Sequence, residues 1–348
     1  MERVRVGIIG CGVIAPTHAE SLKRLESADL VWACDLDLDR ARGLAERYGI
    51  PRTAERAEDL FADPDLDAVV VATDHASHAP LTVAALEHGK HVLCEKPLAA
   101  KPEQVEAMRE AGRRHPRLHV GAVSQHRFDA VNQCLKSHMD GGAFGTILTA
   151  SVRLRCLRTP EYYQSGAWRG RWETEGGSVL INQAIHFLDS LLWIVGGAQA
   201  VCARHANLTH QDLIETEDTL TALLALRGGG LGTIEATSSC HVTWQHHLGL
   251  TGTEGSVDLR DSQVAFASFR DPRRQEEIAA ELRACRDEEG VAARKSYYGS
   301  GHAGQVADFI AAIQENRPPF VSLEDVVPTM RAVHAIYASY REGGWVEL

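Results

Sequence analysis

No apolar run in the 348-residue chain approaches the length of a membrane-spanning helix, which excludes that class. The opening stretch RVRVGIIG enters a strand at once and lacks the charged and apolar regions of a signal peptide. Cysteine occurs at Cys11, Cys34, Cys94, Cys134, Cys156, Cys202, Cys240 and Cys285, never as a C-x-x-C pair. Histidines do not cluster at zinc spacing, so no metal site is expected and no disulfide framework is indicated. Scattered thiols without a secretory address read as reduced and mostly buried, which places the protein in the cytoplasm. Positive charge is in deficit. The 36 lysines and arginines stand against 47 acids, a net charge of −11, and nucleic acid and anionic membranes are therefore not expected as partners. Internal repeats and low-complexity linkers are also missing.

What is present is ordinary globular composition, 44% hydrophobic and 24% charged. The length exceeds one ordinary core and implies two domains. Strand-like runs at Val4–Ile9, Leu30–Cys34, Ala68–Ala72, His91–Cys94 and Leu118–Val123 alternate with amphipathic stretches such as DLDRARGLAERYG and LTVAALEHG. That beat predicts a parallel sheet covered on both faces, a doubly wound Rossmann domain over residues 1–123. It changes near Gly121. Strand candidates then dominate: Ile147–Leu157, Ala200–Asn207, Thr219–Leu226, Gly232–Ser239, His246–Thr251 and Ser256–Leu259. The predicted second domain, residues 124–348, is α/β with a large open mixed or antiparallel sheet. One apolar helix, SVLINQAIHFLDSLLWIVG, interrupts the strands, and two helices close the chain.

VRVGIIGCGVIAPTHAESL reads as strand, glycine turn and helix start. Gly10, Gly12 and Ala15 fill G-x-G-x-x-G/A, so the backbone from Gly10 through Cys11, Gly12, Val13 and Ile14 can approach a pyrophosphate at a helix N-terminus. Asp35 ends the second strand, where an acid accepts from the adenosine ribose hydroxyls; the other reading makes it a cap for the next helix. With no arginine in that turn to hold a 2′-phosphate, NAD(H) is favoured over NADP(H).

A Rossmann sheet binds its ligand beyond the carboxyl ends of its strands. HVLCEKP places Glu95, Lys96 and Pro97 there, on the nicotinamide side, although a lone lysine could be a solvated surface residue. VVVATDHASHAP brings Thr73, Asp74 and His78 to the same edge. In the later apolar helix, Asn182 and His186 stand at i and i+4, on one face of an α-helix, with Asp189 close to that face. A histidine there can be a satisfied core residue, but two buried polar groups on one face need partners. Gly176 and Gly177 just upstream would let the backbone come close to a ligand. PEYYQSGAWRGRWETEGG supplies Tyr162, Tyr163, Trp168, Arg169 and Trp172, flat surfaces and a cation for a sugar ring with a carboxylate or phosphate. An aromatic contact between domains or subunits is the alternative. His302 opens a later helix and could also reach the site, whereas Glu217-Asp218 reads as structural.

The glycine turn, the acid after the second strand, VAT…H, CEKP and the later GG…H element together resemble the Gfo/Idh/MocA family over essentially the whole chain. EKP at the end of its strand is the most specific mark. The resemblance implies an NAD(P)-dependent oxidoreductase that oxidises a secondary hydroxyl of a sugar, sugar derivative or cyclitol. It also implies a homodimer or homotetramer formed through the open sheet. It gives Lys96 the substrate hydroxyl as partner; an ordinary lysine stays protonated at neutral pH, so burial and a nearby positive charge would have to lower it. A cis bond before Pro97 would suit the strand tip. The family commonly has an acid four residues before the histidine that accepts the proton. This chain has Asn182 there, which can position a hydroxyl but cannot share a proton. Lys96 and His186 would then divide the acid–base work, with Asn182, Trp168, Arg169 and Tyr163 on the substrate. An NAD-dependent glycosidase using transient oxidation, or a non-catalytic dinucleotide-binding protein, are the alternatives.

Overall fold

A computed structural model describes residues 2–288 and 301–348. The chain forms two compact units, Met1–Gln125 with Gly301–Val327, and His126–Ser300 with Pro328–Leu348. The expected boundary at residue 123 thus follows chain order, whereas the helix Gly301–Glu315 packs within the first unit.

In the first unit six strands, β1 (Val4–Ile9), β2 (Ala28–Cys34), β3 (Arg52–Ala54), β4 (Ala68–Val71), β5 (His91–Cys94) and β6 (Val120–Ala122), form one sheet in the order β3-β2-β1-β4-β5-β6. All neighbours are parallel. β4 is apolar and buried at every position, as a strand covered on both faces must be. Ala15, Ala19 and Leu22 of the helix Ala15–Lys23 share one core with Ala41, Leu44, Val306, Phe309 and Ile310. Because every strand runs the same way, the residues following β1, β2, β4 and β5 emerge at one edge. The order reverses between β1 and β4, where doubly wound folds bind ligands.

The second unit carries an eight-stranded sheet of β7 (Ile147–Leu157), β8 (Ala198–Ala206), β9 (Thr219–Leu226), β10 (Leu231–Thr237), β11 (Ser239–Gly252), β12 (Gly255–Arg260), β13 (Gln263–Phe269) and β14 (Val346–Glu347). Its order is β13-β12-β11-β7-β10-β9-β8-β14, mixed because β7 and β10 pair in parallel while the other pairs are antiparallel. Alternation sets its faces. Ala150, Val152, Leu154 and Cys156 of β7 point inward with Leu220, Ala222 and Leu224 of β9. The segment Val179–Val195 covers that inner face. On the outer face Leu157, Leu223 and Leu231 stand exposed among Arg153, Arg155 and Glu235, which pair with one another.

β3, β13, β14 and the helix Pro272–Glu288 are additions to the elements expected, and β11 begins where the expected strand Gly232–Ser239 was to end. Residues 297–300 of the stretch YYGSGHAGQ lie outside the described residues. Among the described residues no helix is long and apolar enough to cross a membrane.

Candidate active site

Gly10 adopts φ +93°, and a Cβ there would lie 2.5 Å from the Ala72 carbonyl oxygen. Only glycine permits this turn against the end of β4. Around Gly12 a Cβ would meet nothing within 4 Å, so the neighbouring protein does not demand glycine; the missing side chain leaves the backbone bare. The helix that follows starts with Pro16 in its first turn, and Ile14 at its N-cap offers no side-chain acceptor. A bare turn ahead of an uncapped helix of nine residues fits a dinucleotide's phosphates. Asp35 Oδ2 accepts from Cys11 N at 2.7 Å and Oδ1 accepts from Asp37 N at 2.9 Å, so its carboxylate is fixed beside the turn. It is not the helix cap: that is Asp37, which accepts from Asp39 N. Val13 and Leu36, 75% and 86% exposed, flank the turn with apolar surface. Burial, then the Asp35 charge, push the Cys11 thiol up to about 12, so it stays protonated.

Beyond β5, Glu95 is buried, and its Oε1 meets His18 Nε2 at 2.7 Å with His302 Nε2 at 4.0 Å. Its Oε2 accepts from Lys96 N at 3.0 Å. Burial alone would raise this carboxyl, but the hydrogen bond and charge of His18, with His302 and Lys96 behind it, hold it down to about 2. Lys96 is half-buried, and the Lys96-Pro97 bond is cis, as expected. His18 was missing from the expected site. Its signal was its place in the first turn of the helix after the glycine motif, at the sheet's carboxyl edge.

Two expected cofactor contacts have other roles. His78 is buried with Nδ1 2.7 Å from the Pro97 carbonyl and Nε2 3.2 Å from the Thr73 carbonyl. Burial lowers its pKa, so the ring has one N–H to donate, and it packs between the chain leaving β4 and the chain leaving β5. Asp74 caps the helix His75–Glu87, accepting from Ser77 N and Ser77 Oγ. Thr73 is half-buried at the same edge.

In the second unit the expected single α-helix is two structures. Val179–Ala184 is a π-helix carrying Asn182, and the α-helix Ile185–Val195 carries His186. Asn182 therefore sits on a wider turn than His186, and such insertions are frequent at functional sites. Asn182 Nδ2 donates to buried Glu175 and, at 3.3 Å, to the Tyr162 hydroxyl. That hydroxyl also receives Gln183 Nε2 at 2.9 Å and Arg169 at 2.6 Å. The Arg169 guanidinium lies 4.3 Å from the Tyr162 ring and 4.4 Å from the Trp168 ring, while Arg158 lies 4.8 Å from the Tyr162 ring.

Tyr163, expected on the substrate, is buried, and its hydroxyl is bound to Ser178 and Ser238 at 3.2 and 3.0 Å. Its neighbour Tyr162 is half-buried and faces Arg169 instead. Gly177 also departs from expectation. A Cβ there would sit 2.0 Å from the Tyr337 hydroxyl, so the close approach it permits is to the chain itself. Tyr337 donates to Glu217, which also accepts from Ser178 N and Leu180 N at the start of the π-helix. Burial raises Glu217 to about 7 despite these donors. Asp189 is spent on a buried bidentate pair with Arg127, at 2.8 and 2.7 Å, and on the Thr329 hydroxyl. His186 is half-buried, edge-on to His126 at 5.5 Å.

Residues 4–122 match the oxidoreductase family with an NAD-binding Rossmann fold, and residues 136–348 match that family's C-terminal alpha/beta domain. A myo-inositol 2-dehydrogenase from Thermotoga maritima is 25% identical over 353 residues, covering 99% of this chain and 98% of that protein. An inositol 2-dehydrogenase from Rubrobacter xylanophilus is 32% identical over 268 residues, 74% of this chain and 72% of that protein. The WlbA dehydrogenase of Chromobacterium violaceum, solved with NADH and UDP-GlcNAcA, superposes with a TM-score of 0.89 at 29% identity, covering 100% of this chain and 96% of that one. With both halves matched, the chain belongs to the Gfo/Idh/MocA oxidoreductase family.

Proposed function

We propose that the chain is an NAD-dependent dehydrogenase oxidising a secondary hydroxyl of a sugar, sugar derivative or cyclitol to a ketone, reversibly. The observation that carries this reading is the carboxyl edge of the first sheet. There the bare backbone at Gly12, the fixed carboxylate of Asp35 and half-buried Lys96 all emerge together. The relatives named inositol dehydrogenases support it. Bound NAD supplies the hydride acceptor. Asp35 accepts from the adenosine ribose, which selects NAD over NADP. Lys96 and His186 hold and move the proton of the substrate hydroxyl. Asn182, polarised by Glu175, orients a hydroxyl, and Arg169 with Trp168 and Tyr162 forms a cationic, flat-sided wall for the sugar.

Residues 1–123 carry the dinucleotide and residues 124–348 the substrate and the contacts of a homodimer or homotetramer. Leucines exposed on the outer sheet face beside paired charges suit such contacts. All eight cysteines are free thiols, which suits the cytoplasm. A screen of polyols, uronates, inositols and UDP-sugars with NAD⁺, followed by NADH absorbance, tests the reading. Steady NADH formation with at least one of them is expected, faster than with NADP⁺. A sugar or aglycone released without net NADH would replace it with the glycosidase reading. Light scattering that gave the mass of one chain would remove the oligomer.

A further inference from the structure

Away from these residues, the second unit brings together three donors of the kind that hold metals, with a fourth beside them. Cys134 and His138 stand four residues apart on the helix Ala130–Asp140, hence on one face. Glu281 and Cys285 repeat the spacing on the helix Pro272–Glu288, which packs against it. Ligand atoms of Cys134, His138 and Glu281 all lie within 4.8 Å of one another. His138 Nε2 is 2.8 Å from Glu281 Oε2, and Cys134 Sγ is 3.8 Å from the same oxygen. Cys285 interacts with Cys134 but stands outside that 4.8 Å cluster.

We propose that Cys134, His138, Glu281 and Cys285 form a structural zinc site that staples these two helices. Two thiolates, an imidazole and a carboxylate are a tetrahedral zinc donor set, with bonds of about 2.3 Å to sulfur and 2.0–2.2 Å to nitrogen and oxygen. Such bonds put neighbouring ligand atoms about 3.3–3.8 Å apart, near the 2.8 and 3.8 Å already present around Glu281, and Cys285 would turn inward to complete the set. Magnesium and calcium prefer all-oxygen sets and are selected against by the thiols. Binding releases the two thiol protons to solvent and involves no redox change.

The second helix also has need of a staple. Its sequence is charged almost all round, and of its described side chains only Ile278 and Leu282 are buried. A helix draws most of its stability from tertiary packing, so two apolar side chains secure 17 residues weakly. Cys285 also lines an open cleft with Val131, Val264, Phe266 and Arg283, a route by which an ion can enter.

The test uses the full chain, purified under reducing conditions, stripped with a chelator and titrated with Zn²⁺ and Co²⁺. One ion per chain is expected, and Co²⁺ should show thiolate charge-transfer bands and the intense visible bands of a tetrahedral site. Zn²⁺ should raise the Tm of the stripped protein and leave NAD⁺ affinity unchanged. Cys134→Ser, Cys285→Ser and His138→Ala should each weaken Zn²⁺ binding by on the order of a hundredfold. Should any of these misfold, Glu281→Gln at an exposed position serves, and it must alter the cobalt spectrum. The proposal is overturned by reduced protein that takes up no stoichiometric Co²⁺, by unchanged binding or spectra in the variants, or by a Cys134–Cys285 disulfide in protein made under reducing conditions.

Discussion

Glu95 in the first unit and Glu217 in the second are both buried carboxyl groups, and burial pushes both upward, yet they come to rest on opposite sides of an ordinary glutamate. Glu95 falls to about 2 and Glu217 rises to about 7. The difference lies in the partners. Glu95 faces imidazoles and stands next to a lysine, so its negative charge has opposite charges to meet. Glu217 meets backbone N–H groups and a tyrosine hydroxyl, dipoles that offset only part of its desolvation. The edge beside the cofactor turn is therefore organised by charge, and the base of the π-helix by neutral hydrogen bonds.

The largest effect expected is on turnover. Lys96→Ala should lower kcat about a hundred- to ten-thousand-fold and leave NAD⁺ affinity nearly intact, since the proposed partner of the lysine is the substrate hydroxyl. His186→Ala should cost a similar factor. If the two residues serve one proton path, the double variant is little worse than either single one. Lys96→Arg keeps the charge but cannot give up its proton, so a restored rate would mean that Lys96 acts only as a fixed cation.

Next comes the comparison itself. His18→Ala leaves Glu95 buried without its hydrogen-bonded partner and should destabilise the fold by about 3–5 kcal/mol in denaturant unfolding. Asp35, half-exposed and held by backbone donors, is intermediate. Asp35→Ala should weaken NAD⁺ binding roughly ten- to a hundredfold by titration, through loss of a charged acceptor. Wild-type protein that binds NADP⁺ more tightly than NAD⁺ would break that assignment.

Glu217→Gln should be the mildest substitution. Oε1 takes the Leu180 and Tyr337 donors and shares the Ser178 N–H with Oε2, so an amide group gives up only that shared bond. Its effect should also depend on pH. The folded value of Glu217 is raised, so its contribution is full below about pH 4.5 and is lost as pH rises through 7. Glu95 is depressed, so its contribution is present above pH 4.5 and lost as pH falls towards 2. Unfolding measured from pH 3 to 8 should show Glu217→Gln gaining on wild type as pH rises. A Glu217→Gln curve parallel to wild type throughout would mean that the carboxyl is ionised in the fold with no penalty.

The first unit was legible because its chemistry is tied to local spacing. Gly10, Gly12, Asp35 and Lys96 each follow a strand that reads clearly, and a parallel sheet carries all of them to one edge. The second unit was less so. A π-helix has the composition of an α-helix, so the turn that carries Asn182 could not be seen in LINQAIHF. Tyr162 and Tyr163 are adjacent, and only packing decides which faces Arg169 and which the interior. The helix Pro272–Glu288 has too few apolar positions to mark a face, which hid both the element and its pairing of Glu281 with Cys285 against Cys134 and His138.

The central claim is hydride transfer from a substrate carbon, and isotope transfer reads it directly. A substrate from the NAD⁺ screen, deuterated at the carbinol carbon, should deliver its label to C4 of the nicotinamide with net formation of NADH and a ketone. Label found in solvent, or returned to a cleaved sugar without net NADH, would contradict the account.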